Sequence, residues 1–145
     1  MIEVSLYELE RQETILLSNF MKKSRPLVVN FGSCTWPPFM ANISKFAAIC
    51  EKFQDLADFV TIYIAEAHPA DRGHFKAGAD GGQFGQIDTA THTSLQDRIN
   101  AALKLKEKAA SFLEGCPIMV STHNILHLYY FIAPITGSLT MSVDL

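Results

Sequence analysis

The chain has 145 residues, 48% of them apolar and 19% charged, which is enough for one domain with a full core and excludes a disordered tail. A formal charge of −3, with no basic cluster beyond Lys22-Lys23 and the spaced Lys104, Lys106 and Lys108, excludes nucleic acid as a partner. The three cysteines Cys34, Cys50 and Cys116 have neither CxxC nor paired Cys/His spacing, so they support neither a disulfide framework nor a zinc site and read as reduced thiols.

The first twenty residues carry Glu3, Glu8, Glu10, Arg11 and Glu13, which excludes a signal peptide or a membrane span there. Ser5 and Glu8 have the spacing of a capping box, and the spacing predicts an amphipathic helix from there to about Lys23, ended by Arg25-Pro26. Residues 27–31 form a short β-rich run, apolar but for Asn30, as expected of a strand covered on both faces in a parallel sheet, and Gly32 closes it. From Pro38 the apolar residues Phe39, Ile43, Phe46, Cys50 and Phe53 recur every three or four positions, which predicts a helix to about Gln54. Residues 59–65, "FVTIYIA", are again β-branched and aromatic, so a strand, helix and parallel strand follow one another.

Residues 70–91 break the pattern, since five of the eight glycines fall between Gly73 and Gly85, and a long loop or lid is expected. Thr93 and Gln96 again have capping-box spacing, and Leu95, Ile99, Ala102, Leu103, Ala109 and Leu113 stripe a helix that should stop at Gly115. Residues 117–121, "PIMVS", read as a third strand. Beyond them neither a period of two nor one of 3.6 survives; residues 125–141 are about as long as a membrane span but contain His127, Pro134 and Gly137, and read as non-spanning. The organisation expected is a single domain over 1–145: a leading helix (1–24), a strand-helix-strand unit (25–69), a Gly-rich insertion (70–92), a helix and strand (93–121) and a tail (122–145).

A right-handed crossover brings the C-terminal ends of two parallel strands to one sheet edge, where ligands bind. The first strand delivers Ser33, Cys34, Thr35 and Trp36 to that edge at a helix N-terminus, and the second delivers Tyr63, Glu66 and His68. An anionic nucleophile at such a terminus is stabilised by roughly 0.3–1 kcal/mol. Taken singly, Cys34 reads as a small buried filler, Glu66 as a solvated carboxylate, His68 as a structural imidazole, His92 as a loop residue near a helix start and Trp36 as an aromatic anchor.

The string "RPLVVNFGSCTWPPFM" resembles the active-site segment of the iodothyronine deiodinases, whose members read nearly the same with selenocysteine where this chain has Trp36. "DFVTIYIAEAHPAD" is similar to the family's second-strand segment, with Tyr63, Glu66 and His68 on its Tyr, Glu and His, and "HTSLQDRINAA" is similar to its His-x-Ser-Leu-x-Asp-Arg helix start, placing His92 on that histidine. The resemblance runs from about Ser18 to Val120. It implies an α/β, thioredoxin-like and peroxiredoxin-related mixed sheet flanked by helices, incomplete at its C-terminus, that reductively removes iodine from thyroid hormones. The nucleophile's place is that of Trp36; Cys34 takes that of a regenerating thiol; Ser33, Thr35, Tyr63, Glu66, His68 and His92 take those of the proton relay and substrate-binding network, with His68 and His92 toward the substrate.

The same resemblance implies selenium as selenocysteine at position 36, no bound cofactor or metal, an iodothyronine substrate, a thiol reductant as cosubstrate and pairing into a homodimer. It implies membrane attachment through an N-terminal anchor that is absent from this stretch, which by itself reads as soluble. Two departures stand out. Indole has no ionisable lone pair for attack, and selenocysteine is encoded by UGA, which some translation schemes read as tryptophan. After about residue 120 the family's Asp-x-Met-x-Asn element, Ala-Tyr-Gly segment and arginine-bearing strand are replaced by "STHNILHLYYFIAPITGSLTMSVDL", as a shifted frame or retained intron would produce, which would leave a sheet edge open; Ala70 and Arg72 also differ from the family's Ser and Gly. With Trp36 genuine, the expectations are a catalytically inactive thioredoxin-like binding module or a thiol oxidoreductase or peroxidase acting through Cys34.

Overall fold

The structure, a computed structural model, describes residues 4–22, 24–72, 87–111 and 113–123. Five strands form one mixed sheet: β1 (Ser5–Glu8), β2 (Glu13–Leu16), β3 (Leu27–Gly32), β4 (Asp58–Tyr63) and β5 (Ile118–Ser121), in the order β2-β1-β5-β4-β3. β3, β4 and β5 run parallel, and β1 is antiparallel to both β2 and β5. Two helices, α1 (Pro37–Phe53) and α2 (Leu95–Lys108), form the crossovers. Both crossovers step in the same direction across the sheet, so right-handedness puts both helices on one face. The packing agrees: Phe39, Met40 and Ile43 of α1 and Ile99, Ala102 and Leu105 of α2 share one buried cluster with Tyr63, Ile118 and Val120. The alternate strand residues Leu6, Leu27, Val60, Ile62 and Met119 form a second cluster on the other face, covered by Ile15, Leu17 and Phe20. This is the α/β, thioredoxin-like arrangement expected.

The leading helix does not form. Residues 5–16 make a β-hairpin, and Leu17–Phe20 add one 3-10 turn. The apolar residues there serve two faces in alternation, Val4 and Leu6 toward one cluster and Tyr7 toward the other, which a strand allows and a one-sided helix does not. The backbone of Ser5, read as a helix cap, accepts bonds from the N–H and hydroxyl of Thr122 instead, so a long-range ladder overrides a local signal. Gln12 turns the hairpin with φ 55°, in the left-handed region.

The other boundaries shift less. α2 is capped by Ser94 and Asp97, one residue later than the Thr93 and Gln96 box, because the Asp97 carboxylate takes the N–H groups of both Thr93 and Ser94. It ends at Lys108 rather than Gly115: Ala109 leaves helical geometry, and Gly115, with φ +84°, turns the chain into β5. Leu103 points outward at 45% exposure, and its expected place in the stripe is taken by Ala101 and Leu105. β4 and β5 are the strands buried along their length, whereas Val28 to Phe31 of β3 are half-buried, because β3 is an edge strand among the described residues. Most of the expected Gly-rich insertion and of the tail lies outside the described residues. Among the described residues, no helix is long and apolar enough to cross a membrane.

Two features hold the β3-α1-β4 unit that positions the site. Arg25, just before β3, donates to Asp58 at the start of β4 (3.2 Å) and to the carbonyls of Gln54, Asp55 and Ala57 beyond α1, so one guanidinium satisfies the end of the helix and fixes the crossover. At the other end, a Cβ on Gly32 would stand 2.0 Å from Cδ2 of the Phe39 ring. Glycine is required there because α1 starts directly against the strand end. Gly32→Ala is expected to lower stability by about 1–3 kcal/mol through overpacking, read as a reduced urea midpoint with an unchanged slope.

Candidate active site

The turn between β3 and α1 is closed by the N–H of Trp36 donating to the carbonyl of Ser33 (3.2 Å). Opposite it, the chain leaving β4 presents Glu66 with its side chain 1% exposed. A carboxylate taken out of water must be met by donors. Oε2 accepts the backbone N–H of Thr35 (2.9 Å) and its hydroxyl (2.6 Å). Oε1 accepts the Tyr63 hydroxyl and lies 3.5 Å from Nε2 of His92, whose side chain is 2% exposed.

The neighbours extend this network. The Tyr63 hydroxyl also accepts the N–H of Cys34 (3.1 Å), and the Thr35 hydroxyl accepts the N–H of His68 (3.1 Å). The Ser33 hydroxyl accepts the N–H of Ala67 (3.3 Å). Thus Ser33, Cys34 and Thr35 from the first strand end and Tyr63, Glu66, Ala67 and His68 from the second are laced together, and His92 closes the group from the approach to α2. Of the residues singled out in the sequence, Ser33, Cys34, Thr35, Tyr63, Glu66 and His92 converge, and His68 joins through its backbone. Trp36 stands beside them as the N-cap residue of α1, half-buried, its side chain packed against the core cluster that contains Cys34 and Tyr63. The helix begins with Pro37 and Pro38, so two of the N–H groups that normally face an anion are missing and the dipole and later N–H groups carry the effect.

Arg98 escaped the sequence reading. It is 4% exposed, and its Nη1 donates to the carbonyls of Ser121 and His123 at the end of β5. Its position next to Ile99, on the inner side of α2, was the available signal; its charge argued for the surface. Among the described residues, no group of three or more His, Cys, Asp or Glu side chains could hold a metal ion.

The iodothyronine deiodinase family model matches residues 3–133, a stretch that contains every residue of this network. The chain belongs to that family. It is 39% identical to a thyroxine 5-deiodinase of Gallus gallus over 115 residues, covering 79% of this chain and 40% of the relative. Identity is 38% to a type I iodothyronine deiodinase of Xenopus laevis over 104 residues, 72% of this chain and 36% of the relative. A thyroxine 5-deiodinase of Homo sapiens is 39% identical over 110 residues, 72% of this chain and 31% of the relative. The matched part therefore spans well under half the length of these deiodinases.

The electrostatics of this deiodinase-family site follow from burial. The Cys34 thiol is pushed up to about 12, first by burial and then by the Glu66 charge, against the Tyr63 hydrogen bond that pulls it down. Its sulfur lies 3.7 Å from the carbonyl of Ala101, to which it donates, so the residue is a protonated thiol at neutral pH. Burial, with the neighbouring Cys34 and the Glu66 charge, raises Tyr63 as well, which keeps its phenol a donor. His92 is held below its ordinary 6.5, chiefly by burial, with Glu66 opposing and Arg98 assisting, so its imidazole is neutral at pH 7.

Two outcomes are expected. Thr35→Val removes a donor to Glu66 and the acceptor for His68, and should cost about 1–3 kcal/mol in urea unfolding. For His92, the unfolded chain takes up a proton as pH falls through 6.5 while the fold resists it, so stability is full above that value and declines below it. His92→Gln should flatten the fall in melting temperature between pH 6.5 and about pH 5, relative to the parent chain.

Proposed function

We propose that this chain is the core of a reductive deiodinase in which position 36 carries selenocysteine, acting on an iodothyronine with a thiol as reductant. The observation that carries this reading is the buried Glu66 network, which joins Tyr63, Thr35 and His92 directly beside position 36 at the start of α1. The names of the relatives, thyroxine 5-deiodinase and type I iodothyronine deiodinase, supply the substrate class.

Residue 36 has φ −101° and ψ 106°, an extended conformation open to any residue, and a selenocysteine side chain is much smaller than the indole there now. A selenolate at that position would supply the soft nucleophile that accepts iodine while the ring carbon is protonated. The residues present would do the rest. The α1 dipole favours an anion at residue 36 by roughly 0.3–1 kcal/mol. Tyr63, Glu66 and neutral His92 form a line along which a proton can be held and passed toward the ring carbon. His68, tied to Thr35 through its backbone, orients the substrate. Cys34 serves regeneration once its sulfur leaves the Ala101 carbonyl, and then as a partner of an external thiol.

With tryptophan as the genuine residue, the packing of Trp36 against the core favours a binding module without turnover. A resting thiol that is fully buried and held at about 12 argues against a thiol oxidoreductase or peroxidase acting through Cys34.

The codon for residue 36 is expected to be UGA; UGG would favour the binding module. Iodide release from an iodothyronine with dithiol present is expected for the chain carrying selenocysteine at 36 and not for the tryptophan form. In the selenocysteine chain, Glu66→Gln should lower kcat by roughly 10²-fold or more, the range for loss of general acid-base assistance. Equal iodide release from both forms would overturn the proposal.

A further inference from the structure

Away from the Glu66 site, α1 and the segment entering β5 bring two thiols together. Cys50 lies on the inner face of α1, 5% exposed, and Cys116 lies two residues before β5, 1% exposed. The two side chains share a small buried cluster with Ala57 and Phe59, close enough that each perturbs the titration of the other. The Cys116 sulfur also lies 3.6 Å from the Thr61 hydroxyl. A cleft of about 390 Å³ opens beside it, lined by Cys116 together with Glu8, Lys106, Glu114, Pro117 and Ile118.

We propose that Cys50 and Cys116 form a second redox site, in which a small hydroperoxide entering this cleft oxidises the pair to a disulfide. The roles are unequal. Cys50 and the Thr61 hydroxyl beside the Cys116 sulfur favour the Cys116 thiolate, whereas Cys50, next to that sulfur and buried, is raised and stays protonated. The Cys116 thiolate attacks the terminal peroxide oxygen; the O–O bond breaks, an S–O bond forms, and the alkoxide leaves as the alcohol after taking the proton that Cys116 had shed. The Cys50 sulfur then attacks the resulting Cys116 sulfenic acid, the S–S bond forms, and water leaves with the proton from Cys50. Two thiols lose two electrons in all, and one hydroperoxide becomes one alcohol and one water. A small dithiol reverses the step by exchange.

The bridge would join α1 to the entry of β5, and so tie the helix capped by residue 36 to the central strand of the sheet on the same face. Its test is made on the complete chain, folded, with stoichiometric hydrogen peroxide. After quenching and unfolding, mass mapping without reductant is expected to find Cys50 and Cys116 joined, with loss of two hydrogen atoms and of two alkylatable thiols, and dithiothreitol should restore both. In Cys50→Ser the expectation is a Cys116 sulfenic acid that dimedone traps, with no intramolecular disulfide at Cys116. Recovery of Cys50 and Cys116 as free thiols from the peroxide-treated parent chain would overturn the proposal, as would a bridge that joins Cys34 to Cys116 in preference to Cys50. Both decisive readings come from the unaltered chain, so they hold even where the serine variant fails to fold.

Discussion

The structure around the site depends on one constraint, the burial of the Glu66 carboxylate. An acid removed from water and left without donors costs several kcal/mol, so every group that can donate to it is under strong pressure to stay in place. Thr35 meets one oxygen twice, and Tyr63 and His92 approach the other. These partners come from three separate stretches of chain. The carboxylate therefore fixes the relative position of two strand ends and of the approach to α2, which no single element could do alone. It also explains why the turn after β3 can be irregular without being loose: its N–H groups are spent on Tyr63 and Glu66 rather than on water.

Much of this was legible before folding, for local reasons. β3, α1, β4 and β5 are runs whose periodicity and glycine or proline boundaries all agree, and the crossover rule then assigns Ser33 to Trp36 and Tyr63 to His68 to one edge. The N-terminal hairpin was hidden because its deciding partner, β5, comes from the other end of the described chain, and Ser5 with Glu8 satisfies the local signature of a helix start as well as it tolerates a strand. Arg98 was hidden because burial of a guanidinium depends on carbonyls at the end of β5 that sequence spacing does not reveal. His92 lies beyond a glycine-rich stretch to which no periodicity applies, and its place beside Glu66 came from family likeness rather than from spacing. The double hydroxyl at Thr93 and Ser94 left the cap ambiguous by one residue, and the Asp97 carboxylate settled it by reaching both N–H groups.

The two faces of the sheet have different tasks. The helix face carries the buried Tyr63, Thr61 and the three cysteines, while the opposite face is an apolar cluster that Leu17 and Phe20 of the 3-10 turn join. Buried polar groups thereby gather on the side where helices can supply carbonyls and caps, as Ala101 does for Cys34; Ser121, two residues past Met119 at the end of β5, donates its hydroxyl to the carbonyl of His123 instead. The alternation along β4 alone, with Phe59, Thr61 and Tyr63 on one side and Val60, Ile62 and Ile64 on the other, sets this division.

The bonds that lace the turn to the far strand run through main-chain N–H groups and through the side chains of residues 33, 35, 63 and 66. Each of these bonds has its own donor and acceptor, so a decoding event that placed selenium rather than indole at 36 would rewrite the reactive atom and leave those donors and acceptors in the chain, and the lacing and the reactivity would be inherited through separate positions.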